Sequence, residues 1–234
     1  MWSHNLEENL RRIQDRIAEA CFRVGRDPSE VEILGATKGV PPERIQAAAR
    51  LGLQRFGENR VQEARQKIPR LSPLNLRWHM IGHLQTNKVK YAVRLFQVVE
   101  SVDRRELVEA LERRLAREDK TLTVLLEVNT SGEASKYGLP PDPDAVLALA
   151  EFLLEHAPHL RLEGLMTLGP YPPEELRSRQ AFARLRNLRD LLEQRLQHSL
   201  PVLSMGMSED FVFAILEGAT RIRLGRALFG PREP

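Results

Sequence analysis

A single cysteine, Cys21, leaves no way to close a disulfide within the chain, which fits a reducing compartment. The six histidines are scattered and Cys21 has no thiol neighbour, so no metal-ligand spacing emerges and no metal is expected. No apolar run approaches the roughly 20 residues that cross a bilayer. The opening Met1-Trp2-Ser3-His4-Asn5 lacks a basic stretch followed by an apolar one, so no secretory signal and no membrane partner are expected, and the cytoplasm is the simplest location. Low-complexity tracts and sequence repeats are absent. Lysine is scarce too: Lys38, Lys67, Lys88, Lys90, Lys120 and Lys136 are the full set, and Lys38 alone ends an apolar run.

What is present is ordinary for a globular protein: 42% hydrophobic and 29% charged residues in a chain of 234, within the usual size of one α/β domain. A net charge of +3 is weak ground for nucleic-acid binding. Arg177, Arg179, Arg184, Arg186, Arg189 and Arg195 alternate with acids along one helical stretch and read as a solvated face, so no nucleic acid is expected. Without a heptad pattern or an exposed apolar strand, the chain is expected to be a monomer.

Leu6, Leu10, Ile13, Ile17 and Cys21 recur at three- and four-residue spacing, which predicts an amphipathic helix within residues 1–24. Eight β-rich runs follow, each trailed by a helix-period segment: Val31–Thr37, Gln54–Gly57, Arg77–Ile81, Gln97–Val102, Thr123–Val128, Leu162–Leu168, Pro201–Met205 and Arg221–Gly225. Asp142 and Asp144 supply helix caps, and Leu176, Leu185, Leu188, Leu192 and Leu196 mark the longest helix. The pattern predicts a (β/α)8 TIM barrel over 30–230 with the first helix packed on it, one domain over 1–234, and no linker. In such a barrel, chemistry belongs at the carboxyl ends of the strands and phosphate near the last two βα loops.

Period-two alternation through Ile33-Leu34-Gly35-Ala36-Thr37-Lys38 sets Leu34, Ala36 and Lys38 on one face. That puts a partly desolvated amine at the barrel mouth, where it can attack an aldehyde. A lysine merely pointing to solvent is the plainer alternative. Ser204-Met205-Gly206-Met207-Ser208-Glu209-Asp210 runs from the seventh strand into a helix, with Ser208 read as its N-cap. Arg223-Leu224-Gly225-Arg226 ends the eighth strand, and Gly225 permits close approach of an anion. Arg221 and Arg223 both point inward in this reading and need partners, for which Glu58, Glu100 and Glu127 are the candidates.

Ala36-Thr37-Lys38, Phe56 to Glu63, Trp78 to Lys88, Glu127-Val128-Asn129, Leu165-Met166 and the run Ser204 to Phe229 together resemble the motifs of the pyridoxal 5'-phosphate (PLP) homeostasis protein family, whose barrel is similar to the N-terminal barrel of alanine racemase. The resemblance spans nearly the whole chain after the first helix. It implies that Lys38 holds PLP as a Schiff base, that Arg223 faces the pyridine nitrogen, and that Ser208 with the backbone of Gly225 and Arg226 holds the phosphate. It also implies that Asn59, His79 and Met166 line the pocket. Arg226 departs from the Thr or Ser that several members of that family carry after the glycine. Plainer roles stand beside these: helix capping for Asn59, a hydrogen-bonded core histidine for His79 and core filling for Met166.

An arginine at the ring nitrogen is always a donor and weakens the ring as an electron sink, which speaks against demanding carbanion chemistry. The expected function is therefore PLP buffering or delivery without conventional turnover, with PLP-dependent apo-enzymes as recipients. Two rivals remain: a weak PLP-dependent racemase or transaminase using His79 or Tyr137 as a second acid or base, and a PLP-free Schiff-base aldolase working through Lys38.

Overall fold

The computed structural model describes residues 5–231, so the first four and last three residues of the expected domain lie outside the described residues. Strands β1 (Glu32–Ala36), β2 (Arg55–Glu58), β3 (Arg77–Met80), β4 (Val98–Val102), β5 (Leu122–Glu127), β6 (Leu160–Met166), β7 (Val202–Ser204) and β8 (Arg221–Leu224) close in chain order into a barrel. Every ladder is parallel, and β1 pairs with β8 from Glu32–Arg221 to Gly35–Leu224. The expected (β/α)8 barrel with an added N-terminal helix is the observed fold.

The helices are α1 (Leu6–Arg23), α2 (Pro42–Arg50), α3 (Val61–Leu71), α4 (Val89–Leu95), α5 (Arg105–Glu118), α6 (Pro143–His156), α7 (Glu175–Leu196), α8 (Phe211–Leu216) and α9 (Arg226–Phe229). Asn5 caps α1 by accepting from the Glu8 N–H at 3.1 Å, and the stripe Leu10, Ile13, Ile17 and Cys21 is buried. This stripe packs on α8 and α9, and Asn9 Nδ2 donates to the Leu228 carbonyl at 3.2 Å. Asp142 caps α6, with Pro143 in its first turn as that position favours. In α7, Leu185, Leu188 and Leu192 face the core while Leu176, in the first turn, is exposed. Its arginines are solvated or paired: Arg179 and Arg186 both meet Glu217, at 2.7 and 2.9 Å. Among the described residues no helix is long and apolar enough to cross a membrane.

Strand limits differ from the sequence expectation mainly at β6, which begins two residues early because Leu160 and Leu162 flank exposed Arg161 in regular alternation. Within β6, Gly164 lies so close to β7 that a Cβ there would sit 1.9 Å from the Val202 carbonyl oxygen. The pairing of β5 with β6 slips register beside it, between Val124 and Leu125, as a bulge does in a strongly curved sheet.

Candidate functional site

A cavity of about 1070 Å³ opens at the carboxyl ends of the strands. Lys38 stands on its wall, in the turn that follows β1. The side chain is exposed rather than partly desolvated, because β1 ends at Ala36 and the lysine lies two residues beyond the ladder. Among the described residues its amine makes no hydrogen bond or ion pair, and Ala36 lies on the same wall as the alternation requires. The turn itself is firmly held: the Thr37 N–H donates to the Gly57 carbonyl at 2.9 Å, and its hydroxyl donates to Glu58 Oε1 at 2.6 Å.

Across the cavity, the loop after β7 carries Ser208 and the turn after β8 carries Gly225 and Arg226. Ser208 is not the N-cap of α8, contrary to the sequence reading. That helix starts three residues later, with Asp210 at the cap position and Asp210 Oδ1 accepting from the Met207 N–H at 2.6 Å. Ser208 Oγ instead accepts from the Ala227 N–H at 3.0 Å, tying the two loops together across sequence. Glu209 pairs with Arg226 across the same gap. A Cβ on Gly225 would meet only Ala36, at 3.5 Å and beyond, so the protein's own packing does not demand a glycine and a side chain there would stand in the cavity.

Arg223 is 3% exposed and reaches the cavity floor, donating from Nη1 to the Ser204 carbonyl and hydroxyl at 2.7 and 2.8 Å and from Nη2 to the Thr167 carbonyl at 2.6 Å. Its contacts are neutral, and its charge is balanced at longer range by Glu100, Glu127 and Asp210. Glu127, also on the wall, is buried, and among the described residues its Oε2 has no hydrogen-bond partner. Burial above all, with Asp103 adding and Arg223 opposing, pushes its carboxyl up to about 7.

Beneath the cavity lies a polar layer inside the barrel. Arg221 donates to Glu32 at 2.7 Å and to Glu100 at 3.0 Å; Glu100 also accepts from the Ser204 hydroxyl at 2.5 Å and sits 2.7 Å from His79 Nδ1. Burial alone would raise the Glu100 carboxyl, but Arg221 and His79 hold it well below the usual carboxylate range. His79 titrates below its ordinary value, because burial outweighs the help of Glu100. Of the three partners expected for the inward arginines, only Glu100 is bonded to one; Glu58 is bonded to Lys67.

Of the residues singled out from sequence, Lys38, Asn59, Ser208, Arg223, Gly225 and Arg226 share the cavity wall. His79 and Met166 do not: both are fully buried, and Met80 rather than His79 borders the cavity on β3. Asn59 does not cap α3, whose cap position is Arg60; its backbone is instead closely approached by Gly82, where a Cβ would fall 2.4 Å from the Asn59 carbonyl oxygen. Tyr137 reaches the rim and stacks on His83 with ring centroids 4.0 Å apart. The sequence reading gave Glu127 a place in a family motif and a role as an arginine partner but none at the cavity, although its place at the end of β5 is the position at which a barrel presents chemistry.

The family model of the alanine racemase N-terminal domain matches residues 3–233. A pyridoxal phosphate homeostasis protein of Aquifex aeolicus is 45% identical over 231 residues, covering 98% of this chain and 99% of its own. One of Pseudomonas aeruginosa is 43% identical over 228 residues, covering 97% and 96%. Among solved structures, PipY of Synechococcus elongatus with PLP bound superposes with a TM-score of 0.79 at 35% identity, covering 93% of this chain and all of that one. An alanine racemase of Clostridium difficile shares the fold, with a TM-score of 0.76 at 14% identity over 98% of this chain and 57% of its own. The barrel, the near-complete matches and the identities of this level together make the chain a member of the pyridoxal phosphate homeostasis protein family, built on the alanine racemase N-terminal domain.

Proposed function

We propose that this protein binds PLP at the barrel mouth through a Schiff base on Lys38 and serves intracellular PLP homeostasis, buffering or delivering the cofactor without conventional turnover. The observation that carries this reading is the unpartnered Lys38 amine on the wall of the same cavity as Gly225 and Arg223. The residues fit the group. The open space over Gly225, beside Ser208 and Arg226, is suited to a phosphate, and Arg223 offers a fixed donor to the ring nitrogen. Asn59 lies where it can border the ring, whereas His79 and Met166 act from behind the wall, His79 by supporting Glu100 and Met166 by filling the core.

PLP supplies an electrophilic aldehyde and an electron-withdrawing ring, and the protein tunes the latter. Arg223 is locked by three hydrogen bonds as a donor, so it favours an unprotonated ring nitrogen and a weak electron sink. His79 is buried on Glu100 and does not line the cavity, which weighs against racemase chemistry through it and leaves Tyr137 at the rim as the better-placed candidate. An exposed Lys38 suits exchange with other amines. A cytoplasmic monomer that passes PLP to apo-enzymes is the setting we propose.

The test is the visible absorption spectrum of wild type and Lys38→Ala, followed by borohydride reduction and peptide mass mapping. A yellow wild type with phosphopyridoxyl mass on the Lys38 peptide, beside a colourless variant, is expected. A wild type that PLP cannot colour, yet that borohydride traps with a sugar phosphate, would overturn the reading in favour of an aldolase.

A further inference from the structure

The two peptide groups that flank Lys38 are both gripped by side chains of α3, which Glu58 at the end of β2 braces in turn. On one side, the Thr37 carbonyl accepts from Lys67 Nζ at 2.7 Å as well as from the Val40 N–H at 2.9 Å. On the other, the Gly39 N–H donates to Glu63 Oε1 at 2.8 Å. The gripping groups are bound to each other: Lys67 Nζ lies 2.5 Å from Glu63 Oε1 and 3.0 Å from Glu58 Oε1, and Glu58 also receives the Thr37 hydroxyl. Lys67 and Glu63 stand one helical turn apart, so both point from one face of α3 toward the turn.

Burying a lysine is costly unless its charge is met, and Lys67 is 8% exposed. A surface pair on α3 would secure the helix equally well without reaching the Lys38 turn. Here the ammonium is spent on a backbone carbonyl of a loop 30 residues away in sequence. The Gly39 φ of +71° belongs to the left-handed region, so the turn is one that the chain adopts readily only with glycine and that outside contacts can hold in a single form.

We propose that Lys67 and Glu63 are positioning residues that fix the Lys38 turn, so that the Lys38 amine is held at the cavity in the orientation for attack on an aldehyde. The proposal rests on the reading of Lys38 as the PLP-holding lysine. In the step concerned, the neutral Lys38 amine attacks the aldehyde carbon, the C–O bond breaks as a C=N double bond forms, and the aldehyde oxygen leaves as water with the two amine hydrogens. Neither Lys67 nor Glu63 touches the reacting atoms.

The test separates covalent capture from binding. Wild type, Lys67→Met, Glu63→Ala and Glu63→Gln are mixed with PLP, and the rate of Schiff-base formation is followed by visible absorbance. The same changes are then placed in Lys38→Ala, where tryptophan fluorescence reads non-covalent PLP affinity. Lys67→Met and Glu63→Ala should slow formation by about 10- to 100-fold, the scale of a misplaced reacting group, with non-covalent affinity changed less than about twofold. Glu63→Gln, whose amide oxygen can still accept from Gly39, should recover most of the rate. Hydrogen exchange at the Gly39 amide, measured without PLP, should quicken in Glu63→Ala and not in Glu63→Gln. Unchanged formation rates in both Lys67→Met and Glu63→Ala would overturn the proposal, as would an equal loss of non-covalent affinity. A wild type that forms no Schiff base would instead overturn the reading of Lys38.

Discussion

Glu127 is buried on the cavity wall, and one of its carboxyl oxygens has no partner among the described residues. Its folded carboxyl titrates at about 7 against an ordinary 4.5, so the folded state holds a proton that the unfolded chain gives up earlier. The stability this contributes is full below about pH 4.5, falls as pH rises, and is gone once pH has passed through about 7. Replacing it by a neutral isostere removes that dependence. Glu127→Gln, measured by thermal unfolding of the PLP-free protein at pH 5 and pH 8, should therefore gain on wild type at the higher pH, by on the order of 2 kcal/mol. An identical difference at both values would contradict the assignment. Arg226 and Glu209, by contrast, are a solvated pair on the rim, and their loss should change stability little.

At the scale of elements, the strands are short and the closure of the barrel depends on a few close approaches. Gly164 in β6 is the sharpest: the Val202 carbonyl of β7 occupies the space where a Cβ would be, and backbone cannot swing aside as a side chain can. Gly164→Ala is expected to cost about 3 kcal/mol, read as a lower denaturation midpoint. Because β7 leads directly into the loop carrying Ser208, the same change should weaken PLP affinity. Ser208 itself works between elements, linking the loop after β7 to the first turn of α9 through the Ala227 N–H. The Gly225 side of the cavity is thus one cross-braced unit of two loops.

The whole molecule sets α1 behind that unit. Its apolar stripe packs on α8 and α9, and Asn9 bonds to the Leu228 carbonyl of α9, so the N-terminal helix backs the two elements that border the proposed phosphate cradle. Ile13 is a fully buried member of that stripe. Ile13→Ala should destabilise by about 2–5 kcal/mol in chemical denaturation and, if α1 braces the cradle, raise the PLP dissociation constant measured at non-denaturing conditions. A stability loss with unchanged affinity would confine α1 to a packing role.

The barrel was legible because apolar alternation, helix-period segments and their order are local or periodic properties, and β1–β8 follow them closely. That Lys38, Ser208, Arg223 and Gly225 stand at the barrel mouth was legible because they lie at strand ends and in the loops that follow. Other features depend on distances between segments remote in sequence, which no spacing encodes. Only the closed barrel carries Ser208 to the start of α9 rather than α8, sends Lys67 to the Thr37 carbonyl, and seats His79 on Glu100 below the cavity wall. Residue type and periodicity determined which groups stand at the mouth; the tertiary structure decided which of them meet, because hydrogen bonds and burial act through space and strand curvature sets which neighbours come within their reach.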